Sequence, residues 1–130
     1  MASRPHPFAD LIGLAVAPDG KGGSTATLTA EHGHMNPHGV VHGAVIYALA
    51  DTGMGAALYP SLDAGQACAT IEIKISYFRP VAGGEIRCTT QVDNKGRSIA
   101  HLTSRIEQGE KLVALATGSF AILAAPPGKA

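Results

Sequence analysis

One stretch of this chain, His42 to about Leu58, has the length and composition of a long helix, and everything after it patterns as β-structure. Within that stretch Val45, Leu49 and Thr52 or Gly53 fall on one face, and Ala44, Tyr47, Ala48 and Ala50 suit a helix. Tyr59-Pro60 ends it. Downstream, Ile71, Ile73 and Ile75 alternate against Glu72, Lys74 and Ser76, which predicts a strand over Ala67 to Phe78. Arg79-Pro80 breaks it, and three further strands are predicted over Glu85–Asp93, Arg97–Gln108 and Lys111–Leu123. The turns between them carry Asn94-Lys95-Gly96 and Gly109-Glu110. One helix cannot cover both faces of so large a sheet, but a sheet can wrap it on one side. The expected class is α+β, with a hairpin, one helix and then a four-stranded antiparallel meander.

The hairpin is read from Leu11–Ala17 and Ser24–Ala30, joined by the turn Pro18-Asp19-Gly20-Lys21-Gly22-Gly23. Residues 1–10 read as an irregular arm and residues 124–130 as a frayed tail, leaving one domain over 1–130. A chain of 130 residues, 45% apolar and 15% charged, can bury a real core. Ten basic residues balance ten acidic ones, so no net field draws the chain to nucleic acid or an anionic membrane. No apolar run reaches the ~18 residues of a membrane span, and no secretory h-region opens the chain. Cys68 and Cys88 share no CxxC spacing and read as reduced core thiols, so a cytoplasmic location is expected.

Polar residues concentrate between Glu31 and Gly43. Gly43 opens the helix, where the first amides have no intrahelical partner and favour an anion or a developing oxyanion. A plain loop-to-helix junction would look the same. Asp51 is the only acid between Glu31 and Asp63 and sits among Leu49, Ala50, Met54 and Ala56. A carboxylate there is costly unless it is paired or used, and environments of that kind are where carboxyl groups are often tuned for catalysis. The alternative is an acid facing solvent or a partner. Gly43 and Asp51 are eight residues apart, about 12 Å along a helix axis, so one reacting carbon cannot touch both on a straight helix. If they cooperate, they come from two copies of the chain.

Asn36 can hold a carbonyl or a water through its amide, or simply form a turn. His32, His34, His38 and His42 lack the acids or cysteines of a known metal motif, so no metal is expected; His42 is placed near the helix start. Arg79, Lys95 and Arg97 lie at strand ends or turns, beside Pro80 or Gly96, where a phosphate-bearing tail could be held or where charge merely solubilises.

The run His34-Met-Asn-Pro-His-Gly-Val-Val-His-Gly-Ala-Val-Ile-Tyr-Ala-Leu-Ala-Asp51 resembles the signature of hotdog-fold acyl-CoA thioesterases of the phenylacetate-degradation (PaaI-like) type. The 4-hydroxybenzoyl-CoA thioesterases are relatives of that group. Ser76-Tyr-Phe-Arg-Pro80 and Asn94-Lys-Gly-Arg-Ser98 look like two further family segments. The resemblance implies a sheet wrapped round a central helix, and dimers with a continuous sheet that pair into a homotetramer. It also implies hydrolysis of an aryl, arylacetyl or medium-chain acyl-CoA. By the same resemblance Asp51 is nucleophile or general base, Gly43 polarises the thioester carbonyl, Asn36 positions substrate or water, and His42 belongs to the site. Tyr47, Met54, Arg79, Lys95, Gly96 and Arg97 are the expected contacts to acyl group and coenzyme A. No separate cofactor is expected, because coenzyme A is part of the substrate. Some relatives carry Ser or Thr one turn after the acid; here that position is Gly55. A hotdog enoyl-CoA hydratase or dehydratase and a non-catalytic acyl-CoA-binding sensor are the alternatives.

Overall fold

The structure, a computed structural model, describes residues 5–126. The chain forms helix α1 (Pro7–Ile12), strands β1 (Ala15–Pro18) and β2 (Gly23–Ala30), and the long helix α2 (Gly43–Leu58). Strands β3 (Gln66–Tyr77), β4 (Gly84–Lys95), β5 (Ile99–Gln108) and β6 (Lys111–Ala124) follow. They make one six-stranded sheet in the order β1-β2-β4-β5-β6-β3, antiparallel throughout. The sheet curls round α2, which touches every strand. The predicted wrapped helix is therefore what forms.

Sheet order departs from a simple meander. β3 pairs with β6 at one edge, while β4 joins the opening hairpin through β2. Alternating strands fit either neighbour, so local pattern cannot distinguish the two orders. The consequence is that the longest uncovered edge belongs to β3.

Two terminal expectations also change. Pro7 at the first turn and the His6 imidazole, which accepts from the Ala9 amide at 3.2 Å, start α1 inside the presumed arm. Leu11 thus lies in a helix rather than in the hairpin, and Gly13, at φ 74°, turns the chain into β1. At the other end Ala124 closes β6, and the Ala125 amide donates to the Gly65 carbonyl at 2.8 Å. The rest of the predicted tail, 127–130, lies outside the described residues.

The core fills the space between α2 and the sheet, with Leu49, Met54, Leu58, Ile86, Leu102 and Ile106 fully buried. Small residues let the helix sit close. A Cβ added at Gly53 would lie 2.8 Å from the Thr90 hydroxyl, and one at Gly118 would lie 2.5 Å from the Met54 sulfur. The hydroxyls beneath the helix satisfy one another: Ser24 donates to the Gly53 carbonyl at 2.6 Å, and Thr90 and Ser104 bond at 2.6 Å.

Candidate active site

His42 is the N-cap of α2, as its side chain allows. Its Nδ1 accepts from the Ala44 amide at 2.9 Å, so the ring proton resides on Nε2, and its carbonyl accepts from the Val45 amide at 2.9 Å. Those two bonds occupy the next two amides and leave the Gly43 N–H without an acceptor among the described residues. This is a helix-start donor held open beside a cleft. Val41, Gly43, Ile46, Tyr77, Phe78 and Arg79 line that cleft, about 340 Å³ in volume, and Pro80 and Val81 close it.

Asp51 emerges two turns further along, half-buried rather than sealed among apolar neighbours. The reason lies in the helix wheel: Tyr47, Asp51 and Gly55 share a part-exposed face beside the β3 edge of the sheet, while Leu49, Ala50 and Met54 point into the core. A Cβ at Gly55 would meet nothing within 4 Å, so the space beside the acid is open. The Thr70 hydroxyl on β3 donates to Asp51 Oδ1 at 2.7 Å. Sequence reading missed Thr70 because the Ile71-Ile73-Ile75 alternation turns it away from the helix. A β-bulge between Thr70 and Glu72 inverts that phase, sending Ile71 outward (53% exposed) and turning the exposed Thr70 toward Asp51.

Asn36 is a turn former. Its Oδ1 accepts from the His38 amide at 2.8 Å and the Val40 amide at 3.4 Å, and its own amide bonds the Val40 carbonyl at 2.8 Å. Its side-chain NH₂ has no partner among the described residues. His34 is a buried strut: Nδ1 accepts from the Glu31 amide at 2.9 Å and Nε2 donates to the Ile12 carbonyl at 2.7 Å. Both ring nitrogens are thereby committed, tying the loop to α1.

Arg79 lies in the cleft beside Gly43, and Tyr47 flanks the same helix turn. Met54 does not join them; it is wholly buried against Gly118 because it points to the sheet, which corrects its expected substrate contact. Lys95, Gly96 and Arg97 lie at the other end of α2. There Lys95 Nζ donates to the Ser61 carbonyl at 2.6 Å, just past the helix C-terminus, and Gly96 closes the β4–β5 turn through the Ile99 carbonyl at 2.8 Å. A single protomer therefore separates Arg79 from Lys95 and Arg97. Burial pushes the Cys68 and Cys88 thiols up, and both are free.

A curled antiparallel sheet wrapped around one long helix is the hotdog architecture. The model of the thioesterase superfamily matches residues 38–114. The esterase-named protein PA0474 of Pseudomonas aeruginosa is 30% identical over 119 residues, which is 90% of this chain and 89% of that one. Among solved structures, conserved protein PA5202 of Pseudomonas aeruginosa superposes with TM-score 0.87 at 35% identity, over 92% of this chain and 95% of that chain. Thioesterase HI1161 of Haemophilus influenzae gives TM-score 0.85 at 26% identity, over 94% and 87%. The PaaI protein from the phenylacetic acid degradation operon of E. coli gives 0.84 at 25%, over 92% and 86%. The chain belongs to the thioesterase superfamily. It is a hotdog-fold thioester hydrolase, and its neighbours include the PaaI type. No helix among the described residues is long and apolar enough to cross a membrane.

Proposed function

We propose that the protein hydrolyses an acyl-CoA thioester to the free acid and coenzyme A in a site shared by two copies of the chain. One observation carries this reading: Asp51, braced by Thr70, and the open Gly43 amide occupy one helix, too far apart to serve one carbonyl. A second copy supplies the missing half. The uncovered β3 edge, twelve residues long with Ile71 and Tyr77 exposed, is the surface that favours pairing.

The register follows from the contacts. Thr70 marks the Asp51 level of β3 and Tyr77 marks the Gly43 level. For one copy's Asp51 to face the other's Gly43, Thr70 must lie opposite the other copy's Tyr77; with the bulged Ile71 out of register, an antiparallel β3–β3 pair is then centred on Lys74. The same two-fold axis sets Arg79 of one protomer at the Lys95–Arg97 end of its partner, giving three cations for the coenzyme A phosphates. The homotetramer is two such dimers.

In this site the Gly43 N–H donates to the thioester oxygen as it gains charge. Asp51 either removes a proton from a water that adds to the carbonyl, or attacks the carbonyl carbon itself to form a mixed anhydride that water then hydrolyses to the free acid and Asp51. In both routes the C–S bond breaks and coenzyme A leaves as the thiol, its proton coming from water. The hydroxyl of Thr70 orients the carboxylate, and the free NH₂ of Asn36 holds substrate or water. The apolar cleft and the likeness to PaaI support an aryl, arylacetyl or medium-chain acyl group. The test is a panel of acyl-CoA substrates assayed by thiol release, followed by single turnover in ¹⁸O-water. Release with at least one of these acyl classes is expected, and silence across all of them would exclude the reading. Label entering Asp51, or an acyl-Asp51 anhydride trapped with hydroxylamine, identifies the covalent route; label only in the product acid with no trapped anhydride identifies water attack.

A further inference from the structure

Tyr77 has no part in the chemistry above, yet it holds the start of α2 in two ways. Its hydroxyl donates to the Gly43 carbonyl at 2.7 Å. Its ring crowds the space where a side chain on Gly43 would stand: a Cβ there would lie 3.2 Å from both Cζ and Oη. Tyr77 also lines the cleft onto which the free amide opens.

Glycine is a poor choice for a rigid donor, because it has more backbone freedom than any other residue. The first turn of a helix is also its least restrained. A Gly43 amide that must meet a carbonyl oxygen at a fixed point needs an external clamp. His42 cannot supply it alone, since its bonds run to Ala44 and Val45.

The geometry points to Tyr77 as the positioning residue for the Gly43 amide: ring packed against the bare Cα and hydroxyl bound to the carbonyl lock the first turn of α2 in the donor orientation. This rests on the role proposed above for Gly43. It also gives a reason for the glycine itself, which makes room for the clamp rather than for the substrate alone. Burial and the neighbouring Tyr47 phenol push the Tyr77 phenol up, so it remains a donor at neutral pH.

The test uses the full-length oligomer. Tyr77→Phe keeps the ring and removes only the hydroxyl. Its kcat is expected to fall about tenfold, with KM within about twofold. The companion readout is the affinity for an S-alkyl-CoA thioether, which lacks the carbonyl and so cannot use the amide. Unchanged thioether affinity beside the reduced kcat supports positioning. Wild-type kcat in Tyr77→Phe, or thioether affinity falling in step with kcat, overturns it. Gly43→Ala approaches the same clamp from the helix side by displacing the ring. Combined with Tyr77→Phe its loss should not multiply, and fully multiplying losses also overturn the inference. Absence of thiol release by the wild type would instead remove the thioesterase reading beneath it.

Discussion

At the residue scale the candidate chemistry rests on Asp51 and the group that steadies it. Asp51→Asn keeps the shape and removes the basic carboxylate, so kcat should fall about 10²- to 10⁴-fold with the oligomer intact, measured by thiol release and size-exclusion chromatography. Thr70→Val removes the one hydroxyl that donates to Asp51 Oδ1 and should lower kcat about tenfold with little change in KM. Tyr77 adds a pH signature. Its phenol is raised above the ordinary value of 10.0 by burial first and by Tyr47 second, so the folded protein holds this proton more tightly than the unfolded chain. The resulting stability is complete below the unfolded value and is lost as pH rises through the folded one. Urea midpoints between pH 8 and 11 should therefore fall less steeply for Tyr77→Phe than for the wild type. The placement of His42 and Gly43 at the helix start and of Asp51 within the helix was legible in the sequence, because an isolated acid and a helix start have local signals. Thr70 was not, since a bulge that inverts one strand leaves the hydrophobic alternation looking regular.

At the element scale α2 has two faces that place opposite demands on glycine. Gly53 faces the sheet, and a methyl there would lie 2.8 Å from the Thr90 hydroxyl, which is bonded to Ser104, beside the Ser24 hydroxyl that donates to the Gly53 carbonyl. Gly53→Ala should destabilise by about 1–3 kcal/mol through overpacking, read from chemical denaturation. Gly55 faces open space, and in the protomer Gly55→Ala meets no obstacle while gaining up to about 1 kcal/mol in helix propensity. The same substitution should lower kcat if that space holds water or substrate beside Asp51. The helix and the later strands could be read from periodicity to within a few residues. The partner of β3 could not, because pairing with β6 instead of β4 depends on how the whole sheet closes around the helix. Helix α1 escaped for a different reason: six residues headed by proline carry too short a pattern.

At the scale of the whole molecule, the division of labour between two chains is the claim on which the others depend. It can be tested by mixing two inactive variants. Gly43→Pro removes the amide N–H at the first helical position, and His42, at φ −60° and ψ 137°, already has the backbone that precedes proline; the added Cβ crowds the Tyr77 ring as in Gly43→Ala, so the variant's oligomer is verified before mixing. Asp51→Asn removes the acid. Each variant alone lacks one member of every site. In a mixed dimer, one site combines the intact Gly43 of the Asp51→Asn chain with the intact Asp51 of the Gly43→Pro chain, and the other site has neither. Co-refolding equal amounts of Gly43→Pro and Asp51→Asn should therefore restore about a quarter of the wild-type sites. Activity that stays at the level of the separate variants, in mixed dimers verified by mass, would contradict a shared site and return both groups to a single chain.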